Sequence, residues 1–146
     1  MATTLEQFGK DMKSASRKLN NEIRAGLRDA GKAAATDMRI LIAPYSKKIP
    51  PTIRVNTSKM YTVTITIGGP GIPETILLEM GNKGREGAAT FRHPVFAPKD
   101  SHGDSSVPWV DQPKHPYVAP VVTVRGPLVA QMMQDVLAKS IVGSKE

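Results

Sequence analysis

The chain contains no cysteine. A disulfide framework, a thiolate zinc site and a cysteine nucleophile are therefore excluded. Aromatic residues make up only 5% of its 146 residues, so a core has to be built from Val, Ile, Leu, Met and Ala. No apolar run approaches the roughly 20 residues of a membrane span. The N-terminus, Met1-Ala2-Thr3-Thr4-Leu5-Glu6, lacks the basic and apolar regions of a signal peptide. The expectation is a soluble protein made in a cytoplasm, with no membrane contact.

Catalytic patterns are missing as well. There is no Gly-x-Ser-x-Gly elbow, no paired-carboxylate arrangement and no Ser/His/Asp order. His93, His102 and His115 lie near Asp100, Asp104 and Asp111, but their spacing is long and irregular, unlike the close pairs of metal-binding segments. They read as surface or interface histidines. Gly81-Asn82-Lys83-Gly84-Arg85-Glu86-Gly87 lacks the Gly-Lys-Ser/Thr of a phosphate-binding loop. The chain is expected to be a non-enzyme without cofactor or bound metal.

What is present fits one domain, residues 1–146, with 40% apolar content. The net charge is +7, from 20 Lys+Arg against 13 Asp+Glu, so an acidic partner or nucleic acid is a natural counterpart. Residues 4–42 read as one long helix. Leu5, Phe8, Met12, Ala15, Leu19, Ile23, Leu27, Ala30, Ala34, Met38 and Leu41 recur at the helical repeat and form a continuous stripe. Thr4 and Gln7 suit a capping box, and Pro44 stops the helix. Gly26 and Gly31 predict a bend. Such a helix would be about 55–60 Å long, more than the width of a domain this size, so part of it should project or pack on a neighbour. Its polar face carries Lys13, Arg17, Arg24 and Arg28 among other cations, interrupted by scattered acids. A solvated face and a basic ridge for an acidic partner or DNA both fit.

Residues 50–80 read as a β region. Ile53-Arg54-Val55 begins an alternation, Asn56-Thr57-Ser58-Lys59 is a turn, and Tyr61, Val63, Ile65 and Ile67 alternate with threonines. Gly68-Gly69-Pro70-Gly71 is a break, and residues 74–80 are a strand or a helical turn. Residues 117–142 form a C-terminal helical region. Gly126-Pro127 looks like a helix start, followed by a stripe of Leu128, Met132, Val136, Leu137 and Ile141, while 118–124 stays open between helix and strand.

Between these lies an extended, Gly/Pro-rich arm, residues 81–116, without sustained periodicity. Loops beyond roughly 12–15 residues in a compact domain usually bind something. Phe91, Arg92, Phe96 and Trp109 place rings and a guanidinium, the residue types of interface hot spots, on backbone with little to bury them. With Arg85 and the flanking Glu79 and Tyr117 they form the candidate contact set. Glu79, inside an apolar element, needs a partner if buried; Arg39, Arg54 and Arg92 are candidates. The fold class read from these elements is α+β: a long N-terminal amphipathic helix, a small antiparallel hairpin, the arm, and a C-terminal helix packed on the sheet.

The order of elements resembles the neck, or tail-completion, proteins of tailed bacteriophages with long non-contractile tails, also known as minor tail or head–tail connector proteins. The resemblance rests on an amphipathic helix ending in Ile42-Ala43-Pro44, a hairpin at residues 53–67, Gly69-Pro70, then Leu78-Glu79-Met80-Gly81, a long loop, and His115-Pro116-Tyr117-Val118-Ala119-Pro120 opening the last helix. Phe91-Arg92-His93-Pro94-Val95-Phe96 and Trp109-Val110 resemble members from phages of actinobacteria. Two departures are Tyr45-Ser46-Lys47-Lys48-Ile49-Pro50 where the family often has Thr-Gly, and Met80 where it has an aromatic residue. The resemblance implies a virion protein that forms a homo-oligomeric ring of roughly six or twelve copies. That ring would lie at the head–tail junction, beside connector, terminator and tail-tube proteins, with genomic DNA close by. The alternative is a basic architectural protein that binds nucleic acid through the helix face.

Overall fold

A computed structural model describes residues 5–59, 61–72, 74–80, 90–94 and 109–142. Helix α1 spans Leu5–Ile42, and a short 3-10 turn covers Pro50–Thr52. Strands β1 (Arg54–Asn56) and β2 (Thr64–Thr66) precede helix α2 (Glu74–Met80). Strands β3 (Thr90–Pro94) and β4 (Trp109–Pro113) lead to helix α3 (Ala119–Val142). The α+β class holds, with helix predominating. The chain divides into two compact units, one of Met1–Asp37, Arg54–Thr66 and Val121–Glu146, the other of Met38–Ile53 and Ile67–Pro120.

In the first unit, β1 and β2 pair antiparallel with Val55 opposite Ile65. Both are half-buried, while Arg54, Asn56, Thr64 and Thr66 are exposed, the alternation of a sheet with one covered face. Val55 and Val63 come close to α1 at Gly31, where a Cβ would run into both valine side chains. At Gly26 a Cβ would lie 2.6 Å from Met132 Sδ of α3. The two helix glycines are therefore notches for the hairpin and for α3, and α1 continues through both as one element. Ile23, Ala35 and Val121 are buried. Arg125 Nε donates to Asp37 Oδ2 at 2.7 Å, fastening α3 to α1, and this bond raises the guanidinium's already high pKa.

The hairpin is shorter than its threonine pattern suggests. Tyr61 has φ of 60°, in the left-handed region, so it belongs to the connection and β2 begins only at Thr64. Ser58 N donates to Asn56 Oδ1 at 2.9 Å, an Asx turn that reverses the chain after β1.

The second unit begins with the last turn of α1. The helix ends at Ile42, and Tyr45 N and Ser46 N both return to the Ile42 carbonyl at 3.0 Å. This is the stop that Pro44 dictates. Thr4 of the expected capping box lies outside the described residues. Met38, Ile42, Ile49, Ile53, Leu78 and Tyr117 are buried. Arg39 Nη2 donates to the Ile53 carbonyl, holding the segment after the 3-10 turn against α1. Ile72 N returns to Gly69 O across Pro70-Gly71, with Gly71 at φ 83°, the pattern of a type II turn. Residues 74–80 then form a helix rather than a strand.

Two further expectations change. Residues 81–116 were expected to be free of regular structure, yet β3 and β4 pair antiparallel over five positions, from Thr90 opposite Pro113 to Pro94 opposite Trp109. The alternation there is short and carried by mixed residue types, so no period stands out. Helix α3 also starts at Ala119, so residues 119–124 are helical and Pro127 lies inside the helix rather than at its first position. The proline of the first turn is Pro120, whose missing N–H costs nothing there.

Candidate functional site

A strand pair, two surfaces and one internal clasp hold those residues singled out by sequence that the structure describes. The clasp centres on Glu79. Its Oε2 accepts from Tyr117 N at 2.7 Å and Val118 N at 2.9 Å, and its Oε1 accepts from Ala119 N at 2.9 Å. The carboxylate thus caps α3 from a distant point in the chain, satisfying N–H groups a helix start leaves orphaned and placing negative charge at the positive end of the dipole. The arginine partners considered for Glu79 are not what holds it: Arg39 serves the Ile53 carbonyl, and Arg54 is exposed. His115 N donates to Leu78 O at 3.0 Å, and Lys114 Nζ reaches Met80 O. The Tyr45 and His115 rings stack at 3.4 Å. Tyr117 is buried, with only 1% exposed, and its hydroxyl donates to Thr75 O at 3.3 Å. Glu79 and Tyr117 are therefore joined as structural partners inside one unit.

The β3–β4 hairpin sets Phe91 opposite Gln112 and Arg92 opposite Asp111. It thereby gathers Phe91, Arg92 and Trp109 onto one ladder. Arg85 and Phe96, expected in the same contact set, lie outside the described residues.

The next surface is the start of α1. Every residue from Leu5 to Lys18 is exposed. Leu5, Phe8 and Met12, read as core by their spacing, are 91%, 57% and 59% exposed. Their stripe continues in register into Leu19, Ile23 and Leu27, where the same unit begins to cover it. Periodicity revealed the stripe but not what covers it. In α3 the covered line runs through Val121, Arg125, Val129, Met132, Met133 and Val136. Leu128, Leu137 and Ile141, expected on the buried stripe, are exposed.

The last surface is basic. On one continuous helix, at about 100° per residue, Lys13, Arg17, Arg24 and Arg28 fall within about 60° of arc. Asp11, Glu22 and Asp29, which look scattered in sequence, share a line about 135° away. Glu6, near the ridge's N-terminal end, is bonded to Lys10 at 2.8 Å. Arg24 and Arg28 line a shallow cleft together with Lys59, Tyr61, Thr57 and Thr62 from the connection between β1 and β2. Sequence reading did not link these four to the ridge; the one available signal was the i, i+4 spacing of Arg24 and Arg28.

Among the described residues no group of three or more His, Asp or Glu could hold a metal ion, and no helix is long and apolar enough to cross a membrane. Comparison with protein-family models, curated proteins and solved structures gives no match.

Proposed function

We propose that this chain is a structural subunit of a multi-copy assembly, and specifically a neck or tail-completion protein that forms a ring at the head–tail junction of a tailed phage, joining tail to portal complex. The observation that carries the assembly reading is the uncovered apolar stripe of Leu5, Phe8 and Met12 on a helix segment exposed all round. Apolar surface of that kind marks an interaction site. A closed ring requires one patch to meet a different patch on the next copy. The outward apolar pairs of α3, Val124 with Leu128 and Leu137 with Ile141, supply a second patch. Support for the neck assignment is that two segments carrying the resemblance, Leu78-Glu79-Met80 and His115 to Ala119, interlock through the Glu79 clasp. In this reading the sheet and the C-terminal helix form the ring body, and the arm reaches the neighbouring copy.

The test is a triple variant, Leu5→Ser with Phe8→Ser and Met12→Ser, compared with the native chain by sedimentation velocity and in phage production. The native chain is expected to form a discrete oligomer, and the variant to stay a folded monomer. Phage carrying the variant should accumulate separate heads and tails under the electron microscope. Joined, infectious particles from the variant would overturn the reading.

A further inference from the structure

We propose that the cleft between α1 and the β1–β2 connection is a binding site for the phosphate groups of a nucleic-acid backbone, with the α1 ridge as its continuation. The inference does not depend on the assembly reading, which uses other residues. Arg24, Arg28 and Lys59 line one cleft and make no ion pair among the described residues. Arg24 and Arg28 stand at i, i+4, where like charges repel and disfavour the helix. A set of cations that share one cleft and have no ion-pair partner among the described residues is suited to an external anion. The hydroxyl-bearing residues Thr57 and Thr62 beside them match phosphate oxygens, which accept hydrogen bonds from such groups.

The cleft wall is also held in place. Tyr61 sits at φ 60°, a conformation an aromatic residue seldom adopts. Its hydroxyl donates to Asn20 Oδ1 of α1, pinning the connection over the ridge. Backbone strain of this kind persists where surrounding contacts over-determine it, and it gathers at ligand clamps.

Extension along the helix selects a polymer over a single phosphate. Lys13, Arg17, Arg24 and Arg28 run along one line for about 22 Å, a span over which a nucleic-acid strand presents several phosphates. The acids of the same helix segment keep to another face, and Glu6 is occupied by Lys10. Among the described residues no base-reading element accompanies the ridge, so recognition is expected to be independent of sequence.

The experiment is fluorescence anisotropy of the full chain with a labelled duplex of about 25 base pairs and a matching single strand, across a salt series. Neutralising about five phosphates predicts a log–log salt slope of about −4.5 on duplex. Arg24→Gln with Arg28→Gln and Lys59→Gln should weaken binding at least about tenfold at low salt and flatten the slope by about 2.7. A control with the same charge change on exposed lysines elsewhere, Lys47→Gln, Lys48→Gln and Lys139→Gln, should leave affinity within about twofold. Circular dichroism confirms that both variants fold. Absence of binding to either probe at low salt overturns the proposal. So does equal weakening in both variants, which would make the effect one of net charge. Inorganic phosphate that shifts amide resonances of residues 57–62 while neither nucleic acid does so also overturns it, in favour of a small-anion site.

Discussion

At the scale of single residues, Glu79 carries more of the structure than its neighbours. A carboxylate that accepts from Tyr117, Val118 and Ala119 N–H groups is a charge-assisted cap, and its removal takes one charge-assisted bond from each of them. Glu79→Ala is expected to cost about 2–4 kcal/mol in urea unfolding. Glu79→Gln should cost less than Glu79→Ala, because the amide keeps one oxygen that can still accept from these N–H groups. Tyr117 adds a pH dependence. Burial first, and the Glu79 carboxylate second, push its phenol from 10.0 up to about 12. Its pKa is raised on folding, so its neutral form is the native one. The associated stability is complete below about pH 10, the unfolded value, and is lost as pH rises through about 12. Between those limits the native chain should lose about 2–3 kcal/mol more than Tyr117→Phe, which cannot ionise, as measured by denaturant unfolding at each pH.

At the scale of elements, the two glycines of α1 make opposite predictions from the same helix propensity. A methyl at Gly26 meets the flexible thioether of Met132, which can turn aside, so Gly26→Ala is expected to be neutral or to stabilise by up to about 1 kcal/mol. A methyl at Gly31 meets Val55 and Val63, whose branched side chains have little freedom to move. Gly31→Ala should therefore destabilise by about 1–3 kcal/mol, read as a lower Tm. The helix itself was legible in the sequence, from its stripe and its Pro44 stop. The function of its glycines was not, because propensity is local and the notch is defined by residues that come later in the chain. The same reason hid the true start of α3. Gly126-Pro127 has the form of a helix start, but the cap that sets the start at Ala119 comes from Glu79 in another element. Strands β3 and β4 escaped notice because five-residue pairings of mixed composition carry little period of their own.

At the scale of the whole molecule, apolar surface is divided unevenly between interior and exterior. Ile42, Ile49, Ile53, Leu78 and Tyr117 are enclosed, while Leu5, Phe8, Met12, Leu128 and Ile141 are open to solvent. The stripe was legible as amphipathic, and the length of the helix was the reason to expect that part of it would project or pack on a neighbour. Which residues would be left uncovered depended on where the hairpin and α3 dock. The prediction at this scale separates folding from association. The Leu5, Phe8 and Met12 triple serine variant should unfold within about 1 kcal/mol of the native monomer, because exposed positions contribute little to stability, while its sedimentation coefficient no longer rises with concentration. The basic ridge follows the same logic. Its charges were visible one by one, but their separation from the acids depends on α1 being a single helix.

The clasp has one more consequence. Leu78 and Met80 on one side, and Lys114, His115 and Ala119 on the other, are sewn together at a single gate, so the chain between them leaves and returns at the same place. Lengthening such a loop is entropically mild, about 0.6 kcal/mol for each doubling. A ten-residue Gly/Ser insert after Gly84, roughly a third of the loop's length again, should therefore lower Tm by no more than about 3 °C. The gate makes this segment a natural graft point, because a change between its two ends leaves the bonds that set the start of α3 in place.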